Sequence, residues 1–292
     1  MASTAEWIEG ARLRTLPAAI APVLAGTAVA VAEGTPHPLR AGLALVVALA
    51  LQVGVNFAND YSDGVRGTDD DRVGPMRLVG SRAATPGAVK GAAFGSFGVA
   101  GVAGLVLVVL TAQWWLLAVG IACVVAAWYY TGGRRPYGYA GLGEAFVFVF
   151  FGLVATVGTT YVQTLTGPPA AWAAGVFTGS LASAVLVTNN LRDRAGDERA
   201  GKRTLAVRLG ERGTRGLYVG LTVLGALGVI ACAAWTTGWM LVGLVGFGFL
   251  VRPVVAVLQG AQGRALIPIL KATGIAELAC AILMLVGAVV SA

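Results

Sequence analysis

The sequence predicts an all-α integral membrane protein, a single bundle of nine transmembrane helices. Three observations carry that prediction. Of 292 residues, 57% are hydrophobic and 12% charged, with a mean hydropathy of +0.78, whereas a soluble domain is about 45–50% apolar and about 25% charged. Apolar runs close to the roughly 20 residues needed to cross a bilayer recur from end to end. The basic residues between them fall on alternate sides when the runs are counted. The runs are continuous rather than alternating, which argues against an outer-membrane barrel. A soluble nucleotide-binding enzyme is excluded. The net charge of +7 is read as topology, not as nucleic-acid binding.

The runs lie at about 15–32, 39–58, 93–112, 114–130, 145–165, 172–190, 216–235, 239–258 and 266–290. The first follows Arg12 and Arg14. The second ends in an Asn- and Asp-rich stretch that separates it from the third. The third and fourth meet at Gln113-Trp114-Trp115, a short interfacial turn with an aromatic anchor. Arg134 and Arg135 divide the fourth from the fifth, and Trp172 anchors the sixth. A long basic loop precedes the seventh, Trp235 and Trp239 mark the turn into the eighth, and the ninth runs almost to the C-terminus. From a cytoplasmic N-terminus, every one of the 21 Lys and Arg except Arg40 falls on the cytoplasmic side, which places the C-terminus outside. One missed or invented run would scramble that alternation. The whole chain, 1–292, reads as one domain in a bacterial cell membrane, with cytoplasmic motif loops at about 59–92, 131–144 and 191–215.

The scarce residues narrow the chemistry. His37 is the only histidine, so a site built on several histidine ligands or on a Ser-His pair is unavailable. Cys123, Cys232 and Cys280 are scattered through apolar runs and read as packing. The leader, with Glu6 and Glu9 ahead of Arg12, is unlike a cleavable signal.

All seven aspartates fall in two cytoplasmic stretches. The first holds Asn56, Asp60, Asp63 and Asp69 to Asp71; the second holds Asn189, Asn190, Asp193 and Asp197. In each, an Asn precedes an Asp by four residues, so both can point from one helix face. The two sets are four runs apart, which predicts two similarly oriented four-helix halves plus a ninth helix. Ionisable groups this close to a membrane are costly and mark function by default. Oxygen-only donors suit a hard cation, Mg²⁺, with phosphate oxygens completing its shell. Arg66, Arg72, Arg77, Arg192, Lys202 and Arg203 crowd the same loops, as a diphosphate requires. An anionic head at the surface and an apolar tail between helices describe a polyprenyl diphosphate. The competing class is a cation-coupled transporter, which would place its acids nearer the midplane.

These pieces resemble the UbiA superfamily of intramembrane aromatic prenyltransferases. The resemblance rests on Asn56-x3-Asp60-x2-Asp63, on Asn189-Asn190-Leu191-Arg192-Asp193 with Asp197, and on nine runs with both motifs on one side. Ala11-Arg12-Leu13-Arg14-Thr15, Arg72-Val73-Gly74-Pro75-Met76-Arg77, Tyr139-Ala140-Gly141-Leu142-Gly143-Glu144 and Gly201-Lys202-Arg203-Thr204 are most similar to the menaquinone branch. Its members prenylate 1,4-dihydroxy-2-naphthoate with loss of diphosphate and CO₂. The broader family often has an acid at the position of Gly64; here Asp63 stands one place earlier.

The resemblance implies Mg²⁺ held by Asn56, Asp60, Asp63, Asp69, Asn189, Asp193 and Asp197. It implies diphosphate or acceptor binding by Arg12, Arg66, Arg72, Arg77, Asn190, Arg192, Lys202 and Arg203. Tyr61, Tyr130 and Tyr139 are expected at the acceptor pocket, and Phe146 and Phe150 along a prenyl groove. A related acceptor, 4-hydroxybenzoate, is the alternative. Glu277, an acid inside the ninth run, has no visible partner in the sequence.

Overall fold

The computed structural model describes residues 2–67 and 76–292; Asp69 and Arg72 lie outside them. Among the described residues every regular element is a helix, and the helix starts are written in the sequence. Helix α1 (Thr4–Ala11) opens with a capping box, the Ser3 hydroxyl accepting from the Glu6 N–H at 3.3 Å and the Glu6 carboxylate accepting from the Ser3 N–H at 2.6 Å. It stops at Arg12, whose φ of 55° is left-handed. Four long helices then begin on proline at their first turn, where a missing N–H costs nothing: α2 (Pro17–Ala32), α3 (Pro38–Val65), α4 (Pro86–Thr111) and, further on, α8 (Pro169–Arg199). The expected third run started at 93; α4 starts at Pro86 because Thr85 caps it, accepting from the Ala88 N–H at 3.3 Å.

Between them lie α5 (Leu116–Tyr129), α6 (Gly143–Val147) and α7 (Ala155–Thr164), the last two joined by a π-helical stretch, Phe148–Val154. Helix α9 (Leu205–Ala234) is broken at Gly210, whose φ of 67° and ψ of −179° no helix contains. A 3₁₀ helix, Gly238–Leu250, feeds α10 (Val251–Leu258), and α11 (Leu266–Ser291) closes the chain.

Among the described residues seven helical segments are long and apolar enough to cross a membrane, or eight if α1 and α2, bent by 46°, count as one. Nine were expected. The difference is α5: 14 residues rise only about 21 Å, short of the ~30 Å hydrocarbon core.

Helix α8 is the axis of the bundle, with 78% of its most apolar stretch buried against at most 44% in the other crossing segments. Alanine and glycine let its neighbours approach closely. Ala170, Ala174, Phe177 and Leu181 pack with Ala25 and Val29 of α2 and with Ala276 and Cys280 of α11. Gly152 of the π stretch meets Gly175 and Gly179 so closely that an added Cβ would lie 2.6 Å from the Gly175 carbonyl oxygen. A smaller cluster of Phe57, Leu78, Val79, Val89 and Phe97 fixes the end of α3 that carries the first motif. Cys232 and Cys280 are buried packing residues, as expected. Glu277 is fully buried, and neither of its carboxyl oxygens has a hydrogen-bond partner.

Candidate active site

Helices α3 and α8 bring the two motifs to one cavity of about 1110 Å³, closed on its other sides by the α1–α2 junction, the 130–139 segment and α11. On α8 the stripe Asn189, Asp193 and Asp197 lines it, as four-residue spacing requires, together with Asn190. On α3 the lining face is Gln52, Asn59 and Asp63.

Asn56 and Asp60 share a face, but that face is turned elsewhere. At about 100° per residue they sit beside the lining stripe, not on it. The Asn56 amide donates to the Ala11 carbonyl at 3.0 Å and to the Thr15 hydroxyl at 2.9 Å, tying α3 to the α1–α2 junction. Asp60 is fully buried, and its two carboxylate oxygens accept the backbone N–H groups of Leu78 at 2.8 Å and Val79 at 3.0 Å. It holds the turn that presents Arg77.

The acids that do reach the cavity are interleaved with cations. Asp63 faces the Arg77 guanidinium at 3.6 Å and the Lys202 ammonium at 3.9 Å, and it accepts from the Tyr139 hydroxyl. Lys202 lies 3.9 Å from Asp197 too, so one ammonium bridges the two motifs, resting 4.5 Å over the Tyr139 ring. Arg192 grips its neighbour Asp193 through two bonds of 2.7 Å and donates to the Asn189 side-chain oxygen at 2.8 Å. Arg12 and Tyr130 also line the cavity.

Other expected residues support this site from outside its lining. Arg66 donates to the Thr131 and Gly133 carbonyls, with its guanidinium 5.4 Å from the Tyr139 ring. The Arg203 backbone N–H donates to the Tyr139 carbonyl at 2.9 Å. Tyr61 stacks on Trp128 at 6.0 Å. Phe146 and Phe150 stack with each other, and Phe146 stacks on Tyr137; from this helix the lining side chains are Val147 and Phe151, about 100° further round. Burial raises the Tyr137 phenol above its usual range, so this wall is a neutral aromatic layer.

Sequence reasoning gave no role to several residues that the structure uses. The Thr131 hydroxyl donates to the Asn59 side-chain oxygen at 2.7 Å. Glu144 accepts from the Asn190 amide at 2.9 Å, fixing a lining residue from behind; an acid in a motif next to an apolar run was the available signal. Arg264 and Lys271, which count in the sequence only as cytoplasmic topology charges, line the cavity from the α11 side.

Among the described residues no three His, Cys, Asp or Glu side chains converge as a ready metal cage. The donors present in the cavity, Asp63, Asp193 and Asp197 with the side-chain amides of Asn59 and Asn189, offer only oxygen atoms, which are of hard character. The cavity thus sets three acids among eight lysines and arginines at the ends of apolar helices.

An apolar helical bundle with that charged cavity defines an integral membrane protein. The chain belongs to the UbiA prenyltransferase family, whose model matches residues 19–289. A 1,4-dihydroxy-2-naphthoate octaprenyltransferase of Mycobacterium tuberculosis is 55% identical over 97% of this chain and 96% of its own. One from Escherichia coli is 39% identical over 88% and 84%. The fold is shared with a UbiA homologue from Aeropyrum pernix, at a TM-score of 0.72 and 13% identity over 94% of this chain and 97% of that one. A homologue from Archaeoglobus fulgidus bound to GPP and Mg²⁺ matches at a TM-score of 0.60 and 15% identity, over 93% of this chain and 99% of that one.

Proposed function

We propose that the chain transfers a polyprenyl group from its diphosphate to 1,4-dihydroxy-2-naphthoate, releasing diphosphate and CO₂ and forming the prenylated naphthalenediol, the reduced form of demethylmenaquinone. The observation that carries this reading is the single cavity in which Asp63, Asp193 and Asp197 are interleaved with Arg77, Arg192 and Lys202. The identity to naphthoate octaprenyltransferases over nearly the whole chain favours this acceptor over 4-hydroxybenzoate. The family favours an enzyme over a transporter.

The bond between the allylic carbon and the diphosphate oxygen breaks, and its electron pair leaves with the diphosphate. Arg77 and Lys202 stand where that negative charge grows, already oriented by Asp63 and Asp197, so little reorganisation is needed. The new carbon–carbon bond forms at the ring carbon that bears the carboxylate. The pair that joined the carboxylate returns to the ring as CO₂ departs. Tyr130 and Tyr139 line the cavity, where their rings exclude water; Lys202 already rests over the Tyr139 ring, so Tyr130 is the one left to face a developing allylic cation.

The oxygen donors of the two motifs fit Mg²⁺, with diphosphate oxygens completing the shell. Asp63, Asp193 and Asp197 would hold it, and when bound it supplies charge neutralisation at the leaving group. The remaining expected ligands follow the same reading: Asn189 stands on the lining stripe, and Asn56 and Asp60 support it from behind. The arrangement suits nine crossings, α5 being the short one, in two four-helix halves plus α11. The N-terminus and cavity then face the cytoplasm, as the alternation of basic residues supports.

Membranes containing the protein, supplied with Mg²⁺, a polyprenyl diphosphate and 1,4-dihydroxy-2-naphthoate, should form the prenylated naphthalenediol, recovered as demethylmenaquinone once air has oxidised it, and Asp193→Asn should abolish it. Full activity in that variant, or none in the wild type across several prenyl lengths, would refute the reading.

A further inference from the structure

Among the eight lysines and arginines that line the cavity, two groups differ in their partners. Arg77, Lys202 and Arg192 are each paired with a motif acid. Arg264 and Lys271 line the same cavity, are solvent-accessible, and make no ion pair with any described residue. Arg264, on the 3₁₀ turn Gly263–Ala265 that leads into α11, and Ile267, Lys271 and Gly274 on one face of α11 all line the cavity at intervals of three and four. Lys271 stands roughly 10 Å from Arg264 along the helix axis, toward the apolar part of the cavity where Leu186, Ile267 and Leu270 are exposed. Gly274, one turn on, places α11 against the start of α2, with its hypothetical Cβ 3.8 Å from Pro17 Cβ. Arg14 and Thr15, just before Pro17, line the cavity too.

We propose that Lys271, assisted by Arg264, seats the carboxylate of the aromatic acceptor on the α11 wall, apart from the acid motifs that receive the diphosphate. This rests on the function proposed above. The division follows from charge. A diphosphate bound with a divalent cation needs acids for the metal and cations for the remaining phosphate charge, and only the α3–α8 wall offers both. A monoanionic carboxylate brings no metal and needs cations without competing acids, which is what α11 offers. The neighbouring leucines and isoleucine fit the faces of a fused aromatic ring. A lone lysine in an apolar helix is otherwise costly; here it has a water-accessible cavity and a ligand of opposite charge.

The test is steady-state kinetics on the purified full-length protein in lipid nanodiscs, with geranylgeranyl diphosphate as prenyl donor. KM is measured for each substrate in the wild type, Lys271→Gln, Lys271→Arg and Arg264→Gln. Inhibition by 1,4-dihydroxynaphthalene, the same ring without the carboxylate, is measured alongside. Loss of one charge-assisted contact should raise the naphthoate KM of Lys271→Gln about 10- to 100-fold, with the KM for the prenyl diphosphate unchanged and inhibition by the diol unchanged. Arg264→Gln should move the naphthoate KM in the same direction by less, and Lys271→Arg should retain most of the wild-type affinity. A rise in the prenyl diphosphate KM instead, or an unchanged naphthoate KM in an active Lys271→Gln, overturns this inference alone. A wild type that transfers nothing to the naphthoate overturns the parent reading and this one with it.

Discussion

Replacing Asp60 by Asn changes one atom at the most buried point of the first motif. The carboxylate accepts two backbone N–H groups, from Leu78 at 2.8 Å and Val79 at 3.0 Å, with no exposure to water. An Asn side chain can accept only one of them; its amide nitrogen then faces the second N–H, donor against donor. The loss is one charge-assisted bond and one buried N–H left unsatisfied, together about 2–4 kcal/mol. That cost falls on the turn following Arg77, whose guanidinium stands 3.6 Å from Asp63. Hydrogen exchange should therefore accelerate at the Leu78 and Val79 amides by about 30- to 1000-fold, while the amides of α8 keep their protection. Prenyl transfer should fall with the loss of Arg77 placement. Unchanged exchange at both amides in Asp60→Asn would refute the argument that Asp60 braces this turn, whatever happened to activity.

Three further predictions concern the same framework. Lys202→Met removes the ammonium that lies 3.9 Å from both Asp63 and Asp197; kcat/KM for the prenyl diphosphate should drop about 10- to 100-fold, and an unaltered value in steady-state assays would count against Lys202 as the bridge. Gly152→Ala places a methyl group 2.7 Å from the Gly179 nitrogen and should destabilise the bundle by about 1–3 kcal/mol. Gly158→Ala, with nothing within 4 Å, should be neutral or stabilising by up to about 1 kcal/mol, and equal melting temperatures for the two variants would contradict the close crossing. Chelation of divalent cations should stop transfer and added Mg²⁺ should restore it; full turnover in excess EDTA would exclude the metal-assisted reading.

The second motif was legible in the sequence because a single periodicity fixes it: Asn189, Asp193 and Asp197 share a face, and on α8 that face lines the cavity. The first motif was only half legible. Its four-residue spacing put Asn56 and Asp60 together, but which face of α3 meets the cavity depends on the helix's rotation. That rotation is set by the Ala11 carbonyl, the Thr15 hydroxyl and the Leu78–Val79 turn, contacts no local pattern announces. Apolar runs located the helices well. They could not reveal the π stretch at Phe148–Val154, the 3₁₀ helix at Gly238–Leu250 or the shortness of α5, since hydropathy reports apolarity and not hydrogen-bond register. Lys271 was invisible as a site residue for a related reason: its run looked like any other span, and its meaning comes from the stripe it shares with Arg264 and Gly274.

The central claim, that this cavity joins a prenyl diphosphate to a naphthoate carrying a carboxylate, is tested most directly by acceptor competition. Purified protein would receive one polyprenyl diphosphate, Mg²⁺, and equal concentrations of 1,4-dihydroxy-2-naphthoate and 4-hydroxybenzoate, with both products quantified by mass spectrometry. The account predicts prenylated naphthalenediol, formed with an equivalent of CO₂ and of diphosphate, as the dominant product. Prenylated hydroxybenzoate in excess, or a prenylated naphthoate that keeps its carboxylate, would contradict it.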